Sequence, residues 1–113
     1  MTELTAQRCE PCEGGVNPMT REEAERLMDR LNEDWSLTED GTEIHRDFFF
    51  KGFNKTMGFV NAVAWIANSE GHHPDMEVGW GHCLVRYTTH AIGGLSLNDF
   101  ICAAKIDALL PDG

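Results

Sequence analysis

Residues 54–75, NKTMGFVNAVAWIANSEGHHPD, decide the fold, because the pattern changes there from helical to extended within a few positions. Apolar side chains recur at helical spacing and predict a helix over residues 54–68, with its first residue as the N-cap. Pro74 disfavours helical backbone at the residue before it, so His72 and His73 lie in an extended exit from this helix. Successive side chains on extended backbone point in opposite directions, so the two imidazoles can serve different parts of a pocket.

A strand pair precedes this helix. Residues 35–38 predict a short strand, a glycine-containing turn follows, and residues 42–50 predict the antiparallel partner. Ile44 and Phe48 share one face of the second strand by alternation. Arg46 falls on that same face, so the sequence leaves open which side of the strand's centre points inward.

A second strand pair follows the histidines. Residues 76–81 and 83–89 predict two further strands, and in the latter Cys83, Val85 and Tyr87 alternate with the neighbouring positions. The junction between these strands is either a tight reversal or a strand end, and both readings stay open at this point.

Two amphipathic helices enclose these elements. Thr20 and Glu23 have the spacing of a capping box, in which each side chain satisfies a backbone N–H, and they open a helix predicted over residues 20–32. Ser96 opens the last helix, and Pro111 follows its end, where a proline commonly stands.

The predicted element order is helix, strand, strand, helix, strand, strand, helix, without an internal repeat or linker. Paired strands separated by helices favour an α+β fold, with a four-stranded antiparallel sheet and three helices on one of its faces. We therefore expect a single domain over residues 20–113, preceded by an N-terminal arm over residues 1–19.

The composition is that of a globular protein with one hydrophobic core. The chain has 113 residues, of which 42% are hydrophobic and 25% are charged. The formal net charge of −10 argues against sequence-independent nucleic-acid binding, because such binding needs clustered Lys and Arg. The N-terminus lacks the apolar run of a secretory signal, and no later stretch is long enough to span a membrane, so we expect a cytoplasmic protein.

The four cysteines are expected as reduced thiols in a cytoplasmic protein. Cys9 and Cys12 form a Cys-x-x-Cys pair in the turn-rich arm, a pattern that supplies half of a zinc site or carries out thiol exchange. A structural zinc site needs a second such pair, whereas Cys83 and Cys102 fall far apart, in a predicted strand and a predicted helix. The sequence thus favours a structurally passive arm over a metal site.

The histidines occur in a pattern that resembles the signature of the pterin-4a-carbinolamine dehydratases, also called 4a-hydroxytetrahydrobiopterin dehydratases. The resemblance covers most of the chain beyond the arm, and it combines a rare tripeptide with an aromatic residue, a third histidine and an acid at fixed distances. The motifs are His72-His73-Pro74, Trp80, His90, Gly94-Leu95-Ser96 and Asp99, with Trp35 and residues 44–54 upstream.

The resemblance implies the fold predicted above, assembly into homodimers or homotetramers, and a set of site residues. The implied catalytic set of three histidines and a supporting acid corresponds here to His72, His73, His90 and Asp99. The positions expected to hold the substrate are Gly71, Pro74, Thr88, Thr89 and Ala91. Asp99 also lies three residues after Ser96, so it can equally be the acid of a second capping box, and the two roles are compatible.

The activity that the resemblance implies is dehydration of 4a-hydroxytetrahydropterin to quinonoid dihydropterin, in support of aromatic amino acid hydroxylases. In this reaction a hydroxyl group must be protonated to leave as water, and a neighbouring ring N–H must lose its proton. Two proton-transfer groups therefore suffice, without a metal or cofactor. Histidine suits both tasks because its unperturbed pKa lies near neutral pH. His72 and His90 are the expected pair, with His73 mainly binding the substrate.

The sequence departs from the family pattern at the periphery of this site. Family members often carry charged residues at positions occupied here by Asn68, Gly71, Ala91 and Asn98. These differences bear on the affinity for a pterin, or on the pterin preferred, more than on the reaction.

Other functions stay open beside this one. A zinc site formed by the three histidines is disfavoured, because adjacent histidines on extended backbone rarely bind one ion together. A Cys–His nucleophilic dyad is weaker still, since Cys83 and Cys102 fall on predicted core faces. The resemblance also allows a protein-assembly or regulatory module, because animal members bind the dimerisation segment of a homeodomain transcription factor. A role in molybdopterin metabolism is a further alternative.

Overall fold

The computed structural model describes residues 3–11 and 16–110, so Cys12 and Pro111 lie outside the described residues. The elements in chain order are α1 (Arg21–Met28), β1 (Ser36–Leu37), β2 (Ile44–Phe49), α2 (Phe53–Glu70), β3 (Asp75–Val78), β4 (His82–Tyr87) and α3 (Leu97–Asp107). Short 3-10 turns lie at Leu4–Ala6 and His90–Ile92. Within the described ranges, no helix has the length and apolar character needed to cross a membrane.

The predicted fold class and element order are confirmed. The four strands form one antiparallel sheet in the order β1-β2-β4-β3, so β2 and β4 join the two strand pairs at its centre. The helices pack on one face of this sheet, where the inward side chains of the strands form a common core with those of α2 and α3. The alternation predicted for β4 holds, because its fully buried side chains are Cys83, Val85 and Tyr87.

The inward face of β2 includes a buried arginine. Arg46 is only 5% exposed and stands between the buried Ile44 and Phe48. Its Nη1 atom donates to Oδ1 of Asp107 at 2.9 Å, and its guanidinium lies 4.2 Å from the centre of the Phe48 ring. A buried charge needs a partner, and Asp107, in the last turn of α3, provides it. The sequence left open which side of the centre of β2 points inward, and in the structure the side that carries Arg46 does.

Helix α2 starts earlier than predicted. Gly52 precedes it with φ = 126°, a backbone conformation that side chains rarely adopt. The Thr56 hydroxyl donates to the Gly52 carbonyl at 2.9 Å and so closes the first turn. The prediction of Asn54 as the N-cap is therefore wrong, since Asn54 already lies inside the helix. The helix also continues to Glu70, beyond the predicted end at residue 68.

Two other local features are the start of α1 and the junction between β3 and β4. Thr20 and Glu23 form the predicted capping box, although α1 ends at Met28 rather than at residue 32. Between β3 and β4 the chain makes a tight reversal, in which the Gly79 N–H donates to the His82 carbonyl at 2.8 Å. The strand junction left open by the sequence is thus a hairpin turn.

Residues 3–11, called here the N-terminal segment, pack against the helices. Leu4 is 3% exposed and belongs to the hydrophobic core, and its 3-10 turn contacts α3. Further along, Arg8 and Cys9 both contact the carboxylate of Glu70, the last residue of α2. The N-terminal segment therefore reaches the end of α2 from which the histidine pair emerges.

Candidate active site

The C-terminal end of α2 sets the position of the histidine pair. Gly71 has left-handed backbone with φ = 66°, and its N–H and that of His72 both donate to the Ala67 carbonyl. This arrangement is a Schellman-type helix end, which favours glycine because glycine has no Cβ. The chain then leaves the helix through Pro74 and enters β3 at Asp75.

A short hydrogen bond joins His72 to Asp99. Nε2 of His72 lies 2.6 Å from Oδ1 of Asp99, whose side chain is fully buried. The other oxygen, Oδ2, accepts from the Thr89 hydroxyl at 2.8 Å and from the Ser96 N–H at 3.0 Å. Asp99 thus caps the start of α3 with one oxygen and orients His72 with the other.

The environment of His72 changes its proton affinity. Burial lowers the pKa of His72, but the hydrogen bond to Asp99 and the negative charge of Asp99 outweigh burial, so the pKa lies above its usual value. The imidazole stacks on Tyr87, with ring centroids 5.5 Å apart and planes inclined by 11°. Because Nε2 faces Asp99, Nδ1 is the ring nitrogen that remains for a ligand. His72 is therefore held in one orientation, with its Nε2 atom bound to Asp99.

A second loop brings His90 to the same place. The Thr89 N–H donates to the Gly94 carbonyl at 2.8 Å, which closes the loop between β4 and α3 at its base. Nε2 of His90 lies 3.6 Å from Oδ2 of Asp75, just beyond the histidine pair in the chain. The side chain of His90 is 77% exposed, so this imidazole is open to an incoming molecule.

A cavity of about 440 Å³ lies where the two loops meet. Such a volume is in the range of small-molecule sites. Asp99 lies behind the cavity wall in contact with His72, and Pro74 does not line the cavity. The predicted site residues that do line it are Gly71, His72, His73, Thr88, Thr89, His90 and Ala91.

The residues of the other wall of this cavity were not predicted from the sequence to belong to the site. Its residues are Cys9, Glu10, Pro11, Glu70 and Asn98.

Glu70 is the fixed anion of that wall. Its carboxylate accepts from the Cys9 N–H at 2.8 Å and from Nζ of Lys105 at 2.9 Å, and its side chain is 5% exposed. Burial raises the pKa of Glu70, but the hydrogen bonds from Cys9 and Lys105 and the charges of Lys105 and Arg8 outweigh it and lower the pKa to about 2. In the sequence, the position of Glu70 near the histidine pair was the available indication that it could belong to the site.

Asn98 attaches the N-terminal segment to α3. Its Nδ2 atom donates to the Glu10 carbonyl at 2.5 Å, and its Oδ1 atom accepts from the Glu10 N–H at 3.0 Å. These partners are 88 positions apart in the chain, so no local periodicity predicts the contact. The one sequence signal was that Asn98, next to Asp99, replaces a charged residue of the family pattern.

The arrangement suits proton transfer. Two imidazoles from different loops line one cavity, and a buried carboxylate supports one of them. Among residues 3–11 and 16–110, no three His, Cys, Asp or Glu side chains are placed to hold a metal ion together.

The sequence is similar to those of known proteins over almost its whole length. The model of a protein family described as "Pterin 4 alpha carbinolamine dehydratase" matches residues 17–109. A protein of Nitrosomonas eutropha named "Putative pterin-4-alpha-carbinolamine dehydratase" is 57% identical over 108 residues, which are 96% of this chain and 94% of the relative. A protein of the same name from Legionella pneumophila (strain Corby) is 53% identical over 111 residues, or 98% of each chain.

Two solved structures share the fold. One, described as a transcriptional coactivator/pterin dehydratase from Brucella melitensis, has a TM-score of 0.77 and 28% identity, and the match covers 82% of this chain and 98% of that one. The other is described as a pterin dehydratase-like protein identified as a RuBisCO assembly factor in the alpha-carboxysome. Its TM-score is 0.60 at 20% identity, with 71% of this chain and 93% of that one covered, so it shows likeness of fold alone.

Proposed function

The chain belongs to the pterin 4 alpha carbinolamine dehydratase family, and we propose that it removes water from 4a-hydroxytetrahydropterin to give quinonoid dihydropterin. The observation that carries this proposal is the convergence of His72 and His90 on one cavity, with Asp99 bound to His72 from behind. The substrate is a free pterin carbinolamine of the kind released by aromatic amino acid hydroxylases, and its dehydration returns the pterin to the recycling reactions.

His72 is the proposed proton donor. Its raised pKa, which results from Asp99 outweighing burial, keeps more of the ring protonated near neutral pH than in a free histidine. With Nε2 held by Asp99, the Nδ1–H group delivers its proton to the leaving hydroxyl, which departs as water. The negative charge of Asp99 also stabilises the imidazolium before transfer.

His90 is the proposed proton acceptor. The ring nitrogen beside the carbinol carbon must lose its proton as the C=N bond forms, and an exposed imidazole on the opposite loop can take it. His73, Gly71, Thr88, Thr89 and Ala91 line the same cavity and are proposed to hold the planar bicycle. Pro74 acts indirectly in this proposal, by fixing the backbone that carries the histidine pair.

The direct test generates the carbinolamine enzymatically and follows its decay in the presence of the protein. We expect faster decay than in buffer, and a loss of at least about a hundredfold in His72→Ala and in His90→Ala. His45→Ala is the matched control, because His45 lies on β2 opposite Arg86 and does not line the cavity. Decay at the buffer rate, or decay unchanged in both active-site variants, would reject the proposal.

We propose further that the chain forms a homodimer or homotetramer. The support is a set of large aromatic side chains exposed in the single chain, since such groups commonly mark protein contacts. They are Phe49, Trp65 and Trp80, which are 75%, 74% and 72% exposed. Light scattering should give a dimer or tetramer mass that falls in Trp65→Ala or Trp80→Ala, and a monomer mass at micromolar concentration would contradict this.

A protein-assembly role is the second candidate function, and the same exposed aromatic side chains favour it. Affinity purification from lysate, followed by the decay assay on the same sample, separates the two functions. A stoichiometric protein partner without carbinolamine turnover would support assembly, whereas turnover without such a partner would support the dehydratase.

A further inference from the structure

Two cysteines from opposite ends of the chain meet beside the cavity. Sγ of Cys9 lies 3.5 Å from Sγ of Cys102, although the residues are 93 positions apart. We propose that Cys9 and Cys102 are an oxidation site, at which a peroxide forms a reversible disulfide that ties the N-terminal segment to α3. This goes beyond the proposed function, because no step depends on a pterin.

The positions of the two sulfurs suit this reaction. A disulfide bond is about 2.05 Å long, so the sulfurs must approach by only about 1.5 Å. Cys9 can make this shift because it lies between the 3-10 turn and α1, in a part of the segment that has no helix or strand. Cys102 is fully buried in α3, whereas Cys9 is half-buried and lines the cavity. A small oxidant therefore reaches the pair through Cys9.

The contact between the sulfurs also makes the two thiols unequal in acidity. The hydrogen bond from Cys9 lowers the pKa of Cys102 most; burial opposes this, and Tyr87 and His72 lower the pKa further. The same contact raises the pKa of Cys9, with burial acting in the same direction. Of the two sulfurs, that of Cys102 therefore ionises more readily, and the thiolate is the reactive form in thiol chemistry.

Hydrogen peroxide is the oxidant and accepts the two electrons that the sulfurs lose. The Cys9 sulfur attacks one peroxide oxygen as its proton passes to the Cys102 thiolate; the O–O bond breaks and leaves Cys9 sulfenic acid and hydroxide. The hydroxide takes the proton back from Cys102 and becomes water. The Cys102 thiolate then attacks the Cys9 sulfur, the S–S bond forms, the S–O bond breaks, and hydroxide leaves. Two sulfurs have lost two electrons, and one peroxide has become water and hydroxide.

The bond would add a covalent link to the noncovalent contacts of this segment, which include the burial of Leu4 in the core. The N-terminal segment is held near the cavity by Glu70 through the Cys9 N–H and by Asn98 through the Glu10 backbone. A cross-link that closes almost the whole chain restricts the unfolded state strongly, so we expect the midpoint of thermal unfolding to rise by about 10 °C or more on oxidation.

The test uses the full chain in its folded state. It is treated with equimolar hydrogen peroxide, remaining thiols are alkylated, and the protein is analysed by intact mass and by peptide mapping with and without reductant. We expect a loss of two hydrogens, a linked pair of peptides containing Cys9 and Cys102, the rise in unfolding temperature, and reversal of all three by dithiothreitol. The same linked peptides should form in the controls Cys12→Ser and Cys83→Ser.

Cys9→Ser should lose both the link and the temperature shift. This variant is preferred to Cys102→Ser because Cys9 is only half-buried, whereas Cys102 is fully buried in the core. A dominant link between Cys9 and Cys12, or accumulation of sulfinic acid without any cross-link, would overturn the proposal. Both readouts are independent of carbinolamine turnover, so failure of this inference is distinguishable from failure of the proposed function.

Discussion

Nε2 of His72 lies 2.6 Å from Oδ1 of Asp99, a contact that joins the exit of α2 to the start of α3 across 27 positions of the chain. The second oxygen of Asp99 accepts the Ser96 N–H and the Thr89 hydroxyl. The helix cap therefore fixes the carboxylate, and the carboxylate fixes the imidazole. This coupling underlies the first prediction.

Asp99→Asn should lower both the proton affinity of His72 and the turnover. The substitution keeps the shape of the side chain but removes the charge that raises the pKa of His72, so burial then dominates and the pKa falls. We expect turnover to drop about a hundredfold. Histidine NMR titration of the wild type and the variant measures the pKa directly. An unchanged titration of His72 would contradict the role given to Asp99.

His73→Ala should affect binding more than chemistry. His73 lines the cavity and is exposed, and neither Asp99 nor Asp75 contacts its ring. We expect KM to rise by about tenfold and kcat to change by less than about threefold. Steady-state kinetics beside His72→Ala, in which kcat should fall instead, separates the two roles. A collapse of kcat in His73→Ala would show that this histidine transfers a proton.

Glu70→Gln should change how stability depends on acid. The pKa of Glu70 is lowered to about 2 because hydrogen bonds and neighbouring cations outweigh burial, while an unfolded glutamate titrates at about 4.3. A lowered folded pKa contributes stability that is present above the unfolded pKa and is lost as the pH falls through the folded one. The wild type should therefore exceed the variant in stability near neutral pH.

That excess should shrink between about pH 4.5 and about pH 2. Urea unfolding of both proteins across this range measures it. A difference that stays constant down to about pH 2 would show that the charge of Glu70 is not the source of the stabilisation.

Asp107→Asn should destabilise the fold itself. Asp107 accepts from Nη1 of Arg46 at 2.9 Å, from Nε1 of Trp35 at 2.7 Å and from the Asn32 N–H at 3.0 Å. Loss of its charge leaves the buried guanidinium beside the exposed carboxylate of Asp34, which lies 3.6 Å from Nη2 of Arg46. Because this contact is longer and more exposed to water than the one lost, the change should cost about 3 kcal/mol in the free energy of unfolding. Chemical denaturation gives this value.

The matched control for Asp107→Asn is Glu25→Gln, which removes the exposed pair with Arg21 on α1. It should cost less than about 0.5 kcal/mol. Similar losses in the two variants would show that burial does not set the strength of these pairs.

Periodicity and capping signals were sufficient for the elements and their order. The helical spacing of apolar residues in α2, the alternation in β4 and the Thr20 capping box are local patterns. Such patterns indicate which side of a segment packs against the core and where a helix starts. They did not fix the start of α2, because the positive φ of Gly52 and the Thr56 hydroxyl bond outweigh the capping preference of Asn54. Boundaries depend on such single contacts more than on average propensity.

Assigning a reaction to the two histidine-containing loops required the resemblance to a family, because the spacing of the histidines alone predicts only a polar ligand pocket. Their meeting at one cavity, with Asp99 behind His72, is a property of the assembled helices and sheet. The part of the cavity wall that the N-terminal segment forms was not predicted from the sequence. Its contacts, Cys9 with Glu70 and Cys102 and Glu10 with Asn98, join residues 61 to 93 positions apart.

The amino-acid sequence by itself determined the class of fold, the order of the elements and the positions of the two histidine-containing loops at the ends of elements. Each of these follows from hydrophobic spacing, caps, glycine and proline, which act on neighbouring residues. Only the tertiary structure decided that Arg46 points inward to Asp107, that Asp99 faces His72, and that Cys9 meets Cys102. The physical reason is that a buried charge, hydrogen bond or thiol takes its partner from whatever the packed core brings near, irrespective of distance along the chain.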